Sequence, residues 1–207
     1  MPSDDASSGG NNPRSGASQS EAREADQALM ERVSQGDAQA FQQLVDSGLD
    51  RVVSIARRML GDEAEAEDIA QEVFLRLWKQ ADKWEGGRAQ VSTWLYRVTV
   101  NSCIDRMRGR KEETVDVLPE MPGEATQQLA LEEADLEKYV ETALQKLPDR
   151  QRAALVMFHY ENLSMNDVAE AMEISVDAVE SLLARGRRAL KSSLKSHWTA
   201  FLPDMPE

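Results

Sequence analysis

Cysteine occurs once in the 207 residues, at Cys103, and aromatic residues make up only 5% of the chain. One thiol closes no internal disulfide and by itself builds no zinc site. That fits a reducing compartment, so a cytoplasmic location is expected. The histidines are also few: His159 and His197 stand alone, with no Ser/His/Asp grouping around them. A glycine-rich phosphate loop is missing, and the paired acids Glu67 and Asp68 lie at the solvated start of a helical pattern. Catalysis is therefore not indicated, and no catalytic residue, metal or cofactor is expected. No apolar run approaches the ~18 residues that a membrane span requires. The N-terminus lacks the apolar stretch after positive charge that marks a secretory signal. Neither feature favours membrane insertion.

The charge that is present has a telling distribution. A net charge of −13, from 24 basic against 37 acidic residues, runs against the basic balance usual for a nucleic-acid binder. Residues 111–135, however, carry one basic and eight acidic groups, net −7. Residues 25–110 are net −2, and residues 136–195 balance at nine against nine. A near-neutral domain can still grip DNA through a local basic stripe, but weakly and with strong salt dependence. Such binding would need help from a partner.

Along the chain, residues 1–23 form an N-terminal tail rich in Ser, Gly, Asn and Pro. It has too little apolar surface to offset its ordering entropy, and disorder is expected. From Glu24 to Lys111 helical patterns follow one another without β-type alternation, so this block reads as all-α. Leu29, Met30 and Val33 mark a short helix stopped at Gly36. Asp37 can cap a second, apolar from Phe41 to Leu60, in which Gly48 costs about 1 kcal/mol relative to Ala and is expected to mark a bend. Asp62 opens a third, whose acidic first turns suit the helix dipole and whose apolar stripe is Ile69, Val73, Phe74, Leu77 and Trp78.

Residues 81–92 read as a glycine-containing loop with Trp84 and Arg88 exposed. In the fourth helix Tyr96, Val100, Ile104 and Met107 make a buried stripe, and Cys103 among them reads as a buried thiol. Trp94, Arg97, Asn101 and Arg108 share another line, with Arg106, Arg110 and Lys111 crowding the end. Aromatic, amide and cationic groups in one row suit stacking on unpaired bases and gripping their backbone. A packed Trp94 beside solvated arginines is the plainer alternative.

Residues 112–135 combine acid with Pro119, Pro122 and Gly123 and read as a flexible acidic linker between two domains. Its charge mimics a nucleic-acid backbone, so it could occupy a basic channel on a partner; simple solvation is the alternative. Helices resume from Leu136 to His197, followed by a short tail, 198–207. One pattern covers 136–147 and another starts at Pro148. Then Ser164 and Asp167 have capping-box spacing before Val168, Ala169 and Met172. Glu173 and Ile174 make a turn, and Ser175 can cap the next helix. There Val179, Leu182, Leu183, Leu190 and Leu194 face inward, and residues 181–195 hold five bases and no acid. This is the pattern of a helix-turn-helix, in which the start of the second helix enters the major groove and cations hold the phosphates. An ordinary helical hairpin with a solvated basic end shares that pattern.

Three stretches together resemble one family: AEDIAQEVFLRLWK at 66–79, STWLYRVTVNSCIDRMRGRK at 92–111, and LPDRQRAALVMFHYENLSMNDVAEAMEIS from 147 with its following helix. In this order, with an acidic linker between them, they are similar to an extracytoplasmic-function (group 4) sigma factor, a promoter-specificity subunit of bacterial RNA polymerase. The resemblance covers about residues 25–195. It implies an all-α fold of two small helical domains, with 24–111 as sigma domain 2 and 136–197 as sigma domain 4. The implied partners are core RNA polymerase, through its β′ clamp and β flap, promoter DNA and an anti-sigma factor. The implied role is initiation at −35/−10 promoters of a stress or envelope regulon.

By the same resemblance, Asp68, Gln71, Glu72, Leu75 and Trp78 would dock on the polymerase. Trp84, Arg88, Trp94, Arg97, Asn101, Arg106, Arg108 and Lys111 would melt and hold the −10 element. Ser175, Asp177, Ala178, Glu180, Ser181, Arg185 and Arg188 would read the −35 element. The family often carries a Lys and an Arg where this chain has Glu180 and Leu182, which removes two potential contacts. Glu180 could instead accept from a cytosine amino group. Two other readings stay open at this stage: a stand-alone helix-turn-helix regulator, and a sigma-like decoy that binds a regulator and no DNA.

Overall fold

The computed structural model describes the backbone of residues 14–84, 90–113 and 133–201, and side chains over 24–84, 90–110 and 138–194. It consists of eight α-helices with two short variant turns among the described residues. Helix α1 spans Arg14–Ser34, so helical backbone begins well before Glu24, inside the segment expected to be disordered. The cause is local: residues 17–33 are rich in Ala, Glu, Gln and Arg, good helix formers that need no core to continue a helix upstream. Residues 1–13, most of the expected linker (114–132) and the tail from 202 onward lie outside the described residues.

Helix α2 (Ala38–Leu60) starts where the Asp37 carboxylate accepts from the backbone N–H groups of Gln39 and Ala40. It ends at Gly61, whose φ of 72° supplies the left-handed stop. Gly48 lies inside this helix. A Cβ there would lie 2.8 Å from Leu95 Cδ1 and 3.4 Å from Phe74 Cζ, so this glycine lets the helix pass close to its neighbours.

Helix α3 (Glu63–Gln80) is capped by Asp62, which accepts from Glu65 N–H at 2.9 Å. A single 3₁₀ turn, Ala81–Lys83, follows. Helix α4 (Val91–Glu113) begins with an unusual cap: Val91 N–H donates at 2.9 Å to Asp26 on α1, 65 positions away. Together α1–α4 enclose Met30, Leu44, Val52, Ile55, Met59, Ile69, Val73, Leu77 and Val100.

The C-terminal half combines short pieces with one long helix. Helix α5 spans Glu133–Gln145 and α6 spans Asp149–Leu155 after Pro148. The expected continuation of α6 is replaced by a π turn, Val156–Tyr160, in which Glu161 N–H reaches back to Val156 O at 3.2 Å. Helix α7 (Met165–Met172) carries the capping box expected from Ser164 and Asp167. The chain then turns through Glu173, at φ 53°, into α8 (Val176–Phe201). Ser175 Oγ accepts from Ala178 N–H at 3.2 Å, and Val168, Val179 and Leu183 are buried as expected. At Gly186 a Cβ would lie 2.8 Å from Leu155 Cδ1, so α8 lies directly on α6.

The two halves meet. Arg152 is 5% exposed and donates to the carbonyl oxygens of Leu144, Gln145 and Leu147 at the end of α5, and also to Met59 O at the end of α2. A guanidinium with its fixed fork of donors suits several orphan carbonyls at helix C-termini. Among the described residues, no helix is long and apolar enough to cross a membrane.

Candidate nucleic-acid and polymerase interfaces

Helix α3 presents the first candidate surface. Leu75 and Trp78 are 51% and 38% exposed, and Leu49 on α2 beside them is 38% exposed. Between the two helices runs a groove of about 650 Å³, lined by Phe41, Val45 and Leu49 from α2 and by Asp68, Gln71 and Leu75 from α3. Trp78 is fixed edge-on against Phe41, with ring centroids 4.9 Å apart. An exposed apolar patch rimmed by polar groups marks a site for another protein. Four of the docking residues named from sequence, Asp68, Gln71, Leu75 and Trp78, share this face. Glu72 does not line the groove: it pairs with Arg76 and lines a polar cleft of about 420 Å³ against α4. The α2 contribution from Phe41, Val45 and Leu49 was not foreseen. Its signal was an α2 apolar pattern wider than one core-facing stripe.

Helix α4 supplies the second surface. Its inner stripe holds, with Tyr96, Val100 and Met107 buried and Ile104 half-buried. Cys103 is fully buried, and desolvation pushes its thiol up to about 12, which leaves it inert as a nucleophile. Trp84, expected to be exposed, is instead half-buried, edge-on to Trp94 with ring centroids 6.3 Å apart. The tight 3₁₀ turn returns it to the helix bundle, where two indoles exclude more water together than apart. Arg97 donates to Glu173 Oε1 at 3.1 Å. Asn101 and Arg108 line a crevice of about 440 Å³ shared with Arg150, Met172 and Glu173. Arg106 lies off this line, in the polar cleft with Glu65, Glu72 and Arg110, because five positions along a helix turn a side chain to another face. Arg88 and the side chain of Lys111 lie outside the described residues.

Helix α8 supplies the third. Asp177, Glu180, Ser181, Arg185 and Arg188 are exposed, Ala178 is half-buried, and Ser175 is occupied as the cap. These positions share one outward face, with acid at the start and cations a turn or two later. Arg187 is drawn off that face: its Nε donates to His159 Nε2 at 3.1 Å. Desolvation, then the Arg187 charge, hold that imidazole below its ordinary value, so it stays a neutral acceptor. Among the described residues, no group of His, Cys, Asp and Glu could hold a metal ion.

Two family profiles match this chain in the order of these surfaces: sigma-70 region 2 over residues 44–113 and sigma-70 region 4 over residues 137–190. The chain is 32% identical over 186 residues to the ECF RNA polymerase sigma factor SigW of Bacillus subtilis, covering 80% of this chain and 95% of that protein. It is 31% identical to the RNA polymerase sigma-H factor of Pseudomonas aeruginosa, covering 84% and 95%. Among solved structures it is similar to CnrH in complex with the cytosolic domain of CnrY (TM-score 0.62, 24% identity, covering 83% and 98%). It is also similar to the sigma factor RpoE bound to the anti-sigma factor NepR from Bartonella quintana (TM-score 0.60, 24% identity, covering 75% and 96%). The structural likeness concerns the fold. The sequence likeness, which spans nearly all of SigW, together with the matches to regions 2 and 4, shows that the chain belongs to the ECF RNA polymerase sigma factors.

Proposed function

We propose that this chain binds core RNA polymerase in the cytoplasm and directs initiation at −35/−10 promoters, under the control of an anti-sigma factor. Its family is not one of enzymes, and the work assigned to it is binding and positioning. The groove of Leu49, Asp68, Gln71, Leu75 and Trp78 takes the β′ clamp, an apolar contact with a polar rim. The C-terminal half meets the β flap. Trp84, Trp94, Arg97, Asn101 and Arg108, joined by Arg88, Arg106 and Lys111, open the −10 element. Extruding a base costs a few kcal/mol, which stacking and a fitted pocket offset. Ser175, Asp177, Ala178, Ser181, Arg185 and Arg188 meet the −35 major groove, with Glu180 placed to accept from a cytosine. The acidic linker extends into the polymerase interior.

The observation that carries this reading is the row Trp94–Arg97–Asn101–Arg108, which α4 presents apart from its buried Tyr96, Val100 and Met107, with Asn101 and Arg108 exposed. The near-neutral helix-turn-helix argues against tight duplex binding by the chain alone. Run-off transcription with purified core polymerase, on the promoter upstream of this protein's own gene, tests the reading. A transcript that requires the chain and falls at least about tenfold with Asn101→Ala is expected; an effect that size is about 1.4 kcal/mol. Absence of binding to core polymerase would refute it.

A further inference from the structure

The polar cleft between α3 and α4, about 420 Å³ in volume, lies apart from the apolar groove and from the row of Trp94, Arg97, Asn101 and Arg108. Most of its charges are already spent. Glu72 is held by Arg76 on α3 itself, and Glu65 by Arg110 from α4. Asp105 is exposed and also lines the crevice on the other flank of α4, so it stands at the rim. What remains is a stripe of α4: Ser102, Arg106 and Gly109, spaced i, i+4 and i+7 on one helix face.

Two residues of that stripe carry donors with nothing to bind. Ser102 is 6% exposed, and its hydroxyl is buried without a hydrogen-bond partner. An unbonded buried hydroxyl costs free energy, and native structures rarely leave one so. Arg106 is half-buried, and among the described residues no hydrogen bond or ion pair holds its guanidinium. Gly109 is the third anomaly. At Gly48 and Gly186 a Cβ would lie 2.8 Å from a packed leucine, so close helix contact explains both. At Gly109 a Cβ would meet nothing within 4 Å, and its φ is not positive. Glycine inside a helix is disfavoured relative to alanine, and here neither packing nor backbone asks for it. The missing Cβ leaves open space beside the two unmet donors.

We propose that this cleft binds a small phosphorylated molecule, whose phosphate takes the Ser102 hydroxyl and the Arg106 guanidinium. A phosphate presents three strong acceptor oxygens, enough for a hydroxyl and a guanidinium fork together. Each guanidinium has five N–H donors, so Arg76 and Arg110 can hold their glutamates and still turn a donor to the ligand. The volume exceeds that of a lone ion and falls in the range of small-molecule sites. A cation is the poorer occupant: Glu65 and Glu72 are paired, Asp105 is at the rim, and among the described residues no acidic group could hold a metal. A ligand here ties α3 to α4, the helices assigned to the polymerase and to the −10 element. The site itself rests on neither assignment.

Isothermal titration of the full chain with inorganic phosphate, pyrophosphate and GMP, at fixed ionic strength, is the test. A dissociation constant below about 1 mM is expected for at least one of the three. Arg106→Gln keeps donors and removes the charge, and should weaken binding at least about tenfold. Ser102→Ala should weaken it roughly fivefold. Its thermal midpoint should be no lower than that of the wild type, since the hydroxyl it removes is unbonded in the fold. Gly109→Leu puts a good helix former into the open space, and should remove binding. Tighter binding of GMP than of phosphate assigns a nucleotide, equal binding a free phosphate, and either supports the site. No binding of any probe at about 10 mM overturns the proposal, and so does binding that Ser102→Ala and Gly109→Leu leave unchanged. A promoter duplex whose binding needs Ser102 and Gly109, while the small anions fail to bind, makes the cleft a grip on the DNA backbone and overturns it too.

Discussion

The N-terminal half fully buries a set of large side chains, including Met30, Leu44, Ile55, Met59, Ile69 and Leu77, between helices of 18 to 23 residues. The C-terminal half buries Leu144, Leu155, Val156, Met157, Val168, Val179 and Leu183, mostly smaller side chains, together with alanines such as Ala153, Ala154 and Ala171. Its α6 and α7 are 7 and 8 residues long, shorter than a helix that holds itself together in water. What the C-terminal half lacks in apolar volume is made up by placed polar groups: Arg152 over four carbonyl oxygens, the Ser164–Asp167 box and the Ser175 cap. A half held by bulk can leave one face of α3 and one line of α4 exposed for partners. A half held by a few hydrogen bonds is easier to reorient, and harder to mutate.

The largest expected effect follows from Arg152. Arg152→Met keeps the apolar stem and removes the donors, leaving buried carbonyls of Leu144, Leu147 and Met59 without this partner. A loss of roughly 4 kcal/mol is expected. Urea unfolding followed by amide hydrogen exchange should show α6–α8 losing protection first; equal loss in α2–α4 would mean that the halves are one cooperative unit and the contrast is empty. Next comes Ile55→Ala, which opens a cavity in the larger core and is expected to cost about 3 kcal/mol. Here α2–α4 should lose protection first. Ser164→Ala is smaller: removing one exposed N-cap should cost about 1 kcal/mol, measured the same way and confined to α7.

The same contrast decides what could be read ahead of the structure. The buried stripe of α4, that of α3 apart from Trp78, which is exposed, and the caps Asp37, Asp62 and Ser164 follow from spacing and short-range chemistry. Trp84 was misjudged because its burial depends on Trp94, and the close approach at Gly48 depends likewise on neighbours distant in sequence, Leu95 and Phe74. Glu72 was grouped with groove residues whose face it does not share, since a helix position fixes direction and not what the next helix covers. Arg152 gave one hint, a cation directly before the apolar run AALVM. Its partners at Met59 and Leu144 are invisible to periodicity. The contact of Glu173 with Arg97 spans 76 positions, and no local rule reaches that far.

The smallest expected effect probes the exception in the N-terminal half, the long-range cap of α4 by Asp26. This carboxylate is partly buried, and desolvation raises its pKa above the ordinary 3.8, opposed in part by the Val91 N–H it accepts. A raised acid binds its proton more tightly folded than unfolded. Its contribution to stability is therefore fully present below the unfolded value, and is lost as pH rises through the folded one. Asp26→Asn keeps an acceptor for Val91 and removes the titration. Stability should then fall less steeply as pH rises above about 4. The difference should be a few tenths of a kcal/mol, since solvent still screens a group that is only partly buried. Urea midpoints of both chains across that range measure it. A change near 2 kcal/mol would show that the N-terminal half also depends on a placed polar group, and that bulk alone does not hold α1 against α4.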